Sequence, residues 1–486
     1  MNTFKNLQPA PVWQYFEEIC GIPRPSKKED KIIAYLVSFA KKHNLAWKKD
    51  AAGNVLIIKP PAKGFGNKKT VVLQSHMDMV CEKNSGTSHN FDTDPIIPYI
   101  EGEWVKARGT TLGADDGIGM AAQLAVLASD SLKHGRIECL FTVDEETGLT
   151  GAFALEPGFF EGDILINLDS EDEGELFIGC AGGIDTLATL EFESEDIPSS
   201  HRGFKVMAGG LKGGHSGDDI HRGHGNSIKI LNRFLWNVNN RFDMKLVLIR
   251  GGNLRNAIPR EAEALFAVHN DDIAGLENFL ESFSGDLSRE LELTDPDFHI
   301  RMSPSDLPLC AIDELSKLDL IYSLYACPNG VLAWSRRISN LVESSTNLAT
   351  VKTGNDSVVI TTSQRSSSDS AKDDISAMVE SVFRMARARV RKTDGYPGWE
   401  PDWDSRLLKI CESAYERLFE KKPLVRTIHA GLECGLFLEK HRGLEMISFG
   451  PTIRGAHSPD ERLHIASVQK FWDLLTKVLE EIPEQA

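Results

Sequence analysis

The first third of the chain alternates short β-branched runs with stretches of helical spacing. Asn54 to Lys59 and Thr70 to Gln74 are apolar and brief, the signature of buried strands. Between Lys27 and His43, Ile32, Ile33, Leu36, Val37 and Phe39 recur at helical spacing, after a stop at Pro23 and Pro25 and a cap at Ser26. Gly117 to Ser129 is rich in Ala, Leu and Met and follows a glycine turn, which predicts a buried helix. Arg136 to Val143 and Asp163 to Leu168 add two strands. This alternation predicts an α/β fold, a central sheet with helices on both faces.

From residue 187 the texture changes. Leu187 to Phe192, Phe204 to Ala208, Lys245 to Ile249, Glu261 to Val268 and Ser357 to Thr362 read as strands. Helices are expected over Ser227 to Trp236, Gly275 to Glu290 and Ser370 to Arg391. The mix predicts an α+β domain over 187–396, inserted into a first domain that spans 1–186 and resumes over 397–486. Thr393 to Asp404, with two prolines, two glycines and two tryptophans, reads as the return crossing. Beyond it, helix and strand alternate again and end in an amphipathic helix, Ala466 to Glu481. At 486 residues the chain exceeds what one hydrophobic core serves, so two domains agree with its length.

Charge narrows the partners. With 71 acidic against 54 basic residues the net charge is −17, which argues against nucleic acid. The apolar runs are too short and too interrupted to cross a bilayer, so no membrane partner is expected. Met1 to Gln8 lacks the basic and apolar blocks of a secretory signal. Eight scattered cysteines without a Cys-x-x-Cys pair read as reduced thiols and a cytoplasmic setting.

The informative acids stand at strand ends. Val71 to Gln74 runs directly into Ser75-His76-Met77-Asp78. Side chains two apart on a strand point the same way, and open α/β sheets carry their sites beyond the carboxyl ends of strands. His76 is thus a candidate metal ligand and Asp78 a carboxylate that orients it. In Gly113-Ala114-Asp115-Asp116-Gly117 the glycines allow close backbone approach, and Asp115 can reach a cation that needs a bridging carboxylate. A turn with a helix cap is the alternative there. Asp144-Glu145-Glu146 follows another apolar strand, and three successive carboxylates repel unless cations or protons compensate. Asp163 to Leu168 leads into Asp169 in the same manner. Far along the chain, His457 lies in a loop dense in glycine and proline, where a surface histidine is the alternative to a ligand.

Imidazole and carboxylate without thiolate suit zinc, cobalt or manganese. Three carboxylates, Asp115, Glu146 and Asp169, with one hydroxide balance two divalent cations. Sharing Asp115 then leaves each ion an open position for water or substrate. Glu145, beside the ligands, is left as the general base.

Together the blocks Ser75 to Val80, Gly109 to Gly117, Asp144 to Gly148, Leu211-Lys212-Gly213-Gly214-His215-Ser216-Gly217 and His429-Ala430-Gly431-Leu432-Glu433-Cys434-Gly435 resemble the aminoacyl-histidine dipeptidases. This family, also termed peptidase D or cytosolic non-specific dipeptidases, belongs to the two-zinc exopeptidases related to aminoacylases and carboxypeptidase G. The resemblance runs from the Ile-Pro-x-Pro-Ser near residue 22 to the C-terminal helix. It implies hydrolysis of Xaa-His and other unblocked dipeptides by a zinc-exopeptidase domain with an inserted lid and dimerisation domain. His76 and Asp169 would hold one zinc, Glu146 and His457 the other, with Asp115 bridging and Asp78 orienting His76. Cobalt or manganese could substitute. Glu145 would deprotonate the water bridging the metals and return the proton to the leaving amine. His215 would stabilise the oxyanion, Asn256 and Arg365 would bind the substrate's carbonyl or carboxylate, and Glu433 its amino terminus. A homodimer through the lid is also implied. Asp116 stands where relatives can carry Asn, and the stretch between about 270 and 350 matches less well. An aminoacylase- or tripeptidase-like hydrolase of the same group is the alternative activity, and a catalytically silent binding protein of the same fold the alternative class.

Overall fold

Val71–His76, Ile137–Thr142 and Ile164–Asn167 form the centre of an eight-stranded sheet in a computed structural model that describes residues 3–338 and 340–485. With Ala46–Lys49 as β1 and Val55–Lys59 as β2, these three are β3, β4 and β5. The strand order is β1, β2, β4, β3, β5, then Glu445–Ser448, Glu175–Cys180 and Leu424–Ile428. β3 pairs in parallel with β4, placing His76 opposite Thr142, and with β5, placing Gln74 opposite Asn167. Glu445–Ser448 extends the parallel set beside β5, while β1 and β2 run antiparallel at the other side. β3, β4 and β5 are buried at every position, as near-continuous apolar strands covered on both faces must be.

The chain divides into two compact units. Unit 1 comprises Met1–Cys180, Trp399–Thr427 and Leu432–Ala486. Its core joins α1 (Ala10–Cys20), α2 (Asp30–Lys42), α3 (Ala114–Ala128) and the C-terminal helix Ile465–Glu481 to the sheet. α3 is buried almost all round because its face-covering residues are Ala, Gly, Met and Leu. The helix expected from Gly117 begins at Ala114, so Asp115 and Asp116 lie within its first turn, where both depart from helical φ and ψ. α1 has no counterpart among the expected elements, and its buried face is Val12, Trp13, Phe16, Ile19 and Cys20. A smaller sheet in the same unit orders Ile453–Arg454, Arg462–His464, Trp104–Ala107 and Pro98–Glu101.

Unit 2 comprises Ala181–Gly398 and Ile428–Gly431 around a separate core. Among the described residues its main sheet has nine strands, with Val342–Thr353 and Ser357–Ser366 near the middle. Ser227–Arg241, Ile273–Glu290, Glu314–Ala326 and Asp369–Met385 supply helical residues to its core. The last of these stops at Met385 rather than continuing to Arg391. Arg387 takes a left-handed φ of 59°, and Arg389–Lys392 pairs as a strand with Gly182–Glu191. The crossings between units fall at 180/181 and 398/399, against 186/187 and 396/397 expected from composition. The strip 428–431 joins unit 2 because Ile428 and Ala430 carbonyls both accept from the Ala181 amide, a pairing that residue types do not announce.

Candidate metal centre

Parallel register delivers the ends of β3, β4 and β5 to one edge of the unit 1 sheet, and the acids follow directly. His76, only 1% exposed, ends β3. Its Nε2 lies 3.0 Å from Asp115 Oδ1 and 3.4 Å from Asp169 Oδ1, and its Nδ1 lies 3.4 Å from Asp78 Oδ1. His457 enters from the loop between Ile453–Arg454 and Arg462–His464, held at a left-handed φ of 63°. Its Nε2 lies 3.1 Å from Asp115 Oδ2 and 3.0 Å from Glu146 Oε2. The two oxygens of Asp115 therefore face different histidines.

Asp78 braces the base of this nest. Its carboxylate accepts from the amides of Glu145 at 3.0 Å and Glu146 at 3.2 Å, and from the Ser26 hydroxyl at 2.7 Å. It thus holds the turn after β4 against the histidine at the end of β3. Asp144, at a left-handed φ of 50°, anchors that turn by accepting from Thr147 and Thr150. Glu433, buried at the start of Glu433–Lys440, accepts from Gln74 of β3 and from Thr142 of β4 at 2.8 Å, and its Oε1 has no partner.

The charges in the nest do not balance on their own. Burial pushes Asp169 up to about 7, with Asp115 adding to it. Burial, then Asp115 and Asp169, raise Glu171 to about 8, and burial raises Glu433 to about 8. Glu145 is lifted well above the carboxylate range by burial and by Glu146. Burial opposes ionisation of Asp115, yet its two histidines outweigh this and hold it below its usual range. Hydrogen bonds to Asp115 and Glu146 push His457 up to about 11. Carboxylates crowded in this way need positive charge beyond two imidazoles.

A cation fits the residues present. His76, Asp115 and Asp169 bring ligand atoms within 4.8 Å of one another, and so do Asp115, Glu146 and His457. Glu146 Oε1 is buried without a hydrogen-bond partner beside these donors, a vacancy in bonding that a cation satisfies. His76, Glu145 and Glu146 form a third such group, so Glu145 stands beside the ligand sets.

The remaining predicted residues lie in unit 2. His215 Nδ1 accepts from the Gly217 and Asp218 amides at 3.3 and 3.2 Å and lies 3.4 Å from Asp218 Oδ2. Arg365, nearly buried, donates to the Tyr396 hydroxyl at 2.8 Å, and its Nε is without a partner. Asn256 is exposed and its carbonyl accepts from the Ser216 amide at 2.8 Å. His429 was not singled out from sequence, although it opens the His-Ala-Gly-Leu-Glu block. It is buried, lies 2.7 Å from the Ser345 hydroxyl, and is pushed down to about 3 by burial and by Arg365. Glu171 is a second residue outside the expected set, and its place two residues after Asp169 is the one signal for it in the sequence.

An α/β sheet whose parallel strand ends converge on a histidine–carboxylate nest defines a metal-dependent hydrolase. The model of peptidase family M20/M25/M40 matches residues 72–481, and the chain belongs to this family of metallopeptidases. The cytosol non-specific dipeptidase of Escherichia coli (strain K12) is 45% identical over 483 residues, 99% of this chain and 100% of that protein. The crystal structure of aminoacylhistidine dipeptidase from Vibrio alginolyticus is 46% identical, with a TM-score of 0.89 and 99% of each chain covered. Aminopeptidase PepT from Bacillus cereus shares the fold at 16% identity, with a TM-score of 0.58 over 98% of this chain and 99% of that one.

Proposed function

We infer that this peptidase hydrolyses dipeptides with a free amino terminus, Xaa-His among them, at a centre of two zinc ions. The observation that carries this reading is Asp115, whose two oxygens lie 3.0 and 3.1 Å from different histidines. A carboxylate so placed would be shared by two cations, with His76 and Asp169 holding one and Glu146 and His457 the other. Cobalt and manganese suit the same donors. Bound divalent cations supply Lewis acidity to the scissile carbonyl and lower the pKa of water.

The chain's own residues supply the rest. Glu145 takes a proton from the attacking water and gives it to the departing amine, a role that fits its place beside His76 and Glu146. Asp78 keeps His76 and the Glu145–Glu146 turn in place. His215 offers Nε2–H to developing negative charge on the carbonyl oxygen. Arg365 and Asn256 bind the substrate's carboxylate or carbonyl, and the unpartnered Oε1 of Glu433 receives the amino terminus. Unit 2 is read as the lid. Its edge strands, His299–Ser305 and Arg389–Lys392, offer the pairing surface for a homodimer. Eight scattered cysteines without a Cys-x-x-Cys pair are in keeping with a cytoplasmic setting.

Hydrolysis of Xaa-His dipeptides, tripeptides and N-acetyl amino acids, compared with and without a chelator, tests the reading. Dipeptides are expected to be cleaved fastest, and chelator to abolish cleavage. Faster deacetylation, or cleavage that survives the chelator, overturns it.

A further inference from the structure

Glu461 is 2% exposed and lies four residues beyond His457, outside every ligand set described above. Its carboxylate receives four consecutive backbone amides at the start of α3. Oε2 accepts from Leu112 at 2.7 Å and Gly113 at 2.9 Å, and Oε1 from Ala114 at 2.7 Å and Asp115 at 3.3 Å. These are the amides that a helix start leaves without intrahelical partners, and an anion is stabilised among them. The bond spans more than 340 positions of sequence and ties the His457 loop to the turn that presents Asp115.

The other side of the same turn is held by Arg24, from the Ile-Pro-x-Pro-Ser segment. Arg24 is 2% exposed, and its guanidinium donates to the Met77 carbonyl at 2.9 Å and also to the carbonyls of Asp78 and Gly113. Gly113 therefore gives its N–H to Glu461 and its C=O to Arg24. A Cβ at Gly113 would lie 2.6 Å from Arg24 Nη2, and one at Gly117 would lie 2.7 Å from it, so both glycines make room for the guanidinium. Gly113 also needs its left-handed φ of 69°, which glycine adopts freely. One buried carboxylate and one buried guanidinium thus grip a single residue, Gly113. One reaches back to the histidine at 457, the other to the strand end that carries His76.

We propose that Glu461 and Arg24 are positioning residues that clamp the Asp115 turn between the His457 loop and the end of β3, and so set the spacing of both metal-ligand sets. This rests on the two-cation reading above. Neither residue touches the substrate or the reacting atoms. Removing the acceptor set takes away the four bonds between the His457 loop and the turn that starts α3. The cation between Asp115, Glu146 and His457 is then the one most weakened.

Titration of metal-free protein with Co2+ alone, followed by calorimetry and by visible absorption, tests the clamp. Glu461→Gln keeps the shape but turns an NH2 towards amides that need an acceptor. It is expected to weaken one of two Co2+ sites by about 10- to 100-fold and to alter the absorption bands, the range found when groups that orient ligands are lost. Arg24→Lys, which loses the fork that reaches three carbonyls, is expected to shift the same site and carries the test should Glu461→Gln not fold. Val478→Ala, a cavity in the C-terminal helix, gives the loss of stability without touching the clamp and should leave both Co2+ sites as they are. The clamp is overturned if both positioning variants bind Co2+ as the wild type does, or lose no more than Val478→Ala. A wild type that binds no Co2+ overturns the two-cation reading itself.

Discussion

Asp115 shows how much depends on single side chains. Its side chain is only 12% exposed, yet histidines on both sides keep it ionised, and those histidines come from chain positions nearly 400 residues apart. On the proposed reading, Glu145 and its neighbour Glu146 have different roles, although they are the same residue type. Glu146 Oε2 lies 3.0 Å from His457 Nε2, whereas Glu145 lies beside His76 and Glu146 without such a partner histidine of its own in the second ligand set. Glu145→Gln is therefore expected to lower kcat by about 10²- to 10⁴-fold, the usual worth of a general base, while metal content stays at the wild-type level. Steady-state kinetics with elemental analysis of the same sample checks this, and activity within a few-fold of wild type would remove Glu145 from the base role. At this scale the sequence was uneven. His76, Asp115, Glu146 and Asp169 sit at strand ends or glycine turns and stand out from residue types alone. His457 needed family resemblance, since nothing local marks its loop as reaching Asp115. Glu461 and Arg24 were invisible, because a carboxylate that meets only backbone amides, and a guanidinium that meets only carbonyls, leave no pattern in side-chain types.

Strands, more than loops, bring the nest together. β3, β4 and β5 are parallel and in register, so the residues after each one emerge at the same edge without any long-range signal in the loops. The β-branched runs that bury these strands were readable, and their bounds shifted by only a residue or two. Less readable were Val342–Thr353, rich in Ser and Thr and yet central to the unit 2 sheet, and the edge strand Arg389–Lys392, which continued a helical pattern. In both, cross-strand pairing overrides what local composition suggests. The neighbouring strand Glu445–Ser448 makes the edge tight: a Cβ at Gly450 would lie 1.8 Å from the Ser170 carbonyl oxygen, one residue past Asp169. Backbone cannot yield there as a flexible side chain could. Gly450→Ala is expected to cost about 1–3 kcal/mol by overpacking, measured by chemical denaturation, with a loss of metal affinity because Asp169 is displaced along with Ser170. Unchanged stability would mean that the two loops are not packed as described.

For the molecule as a whole, metal binding and protonation are linked. In the metal-free chain burial holds Asp169 at about 7 and Glu171 at about 8, and hydrogen bonds hold His457 at about 11. Each raised group keeps its proton below its own value, and a cation must displace protons from its ligands to bind. Affinity should therefore fall as pH drops below about 11, where His457 gains its proton, and fall more steeply below about 7, where Asp169 also does, with protons released on binding. Calorimetric titration in buffers of different ionisation enthalpy reads that release, and pH-independent binding without release would contradict it. The division into two units follows two separate hydrophobic cores, and composition alone indicated a change of texture near the first crossing. The central claim is that five residues of unit 1 hold two cations through a shared Asp115. The most direct test counts zinc per chain in metal-reconstituted wild type and in His457→Ala. The account predicts two ions in the wild type and one in the variant, whereas equal counts in the two proteins would contradict it.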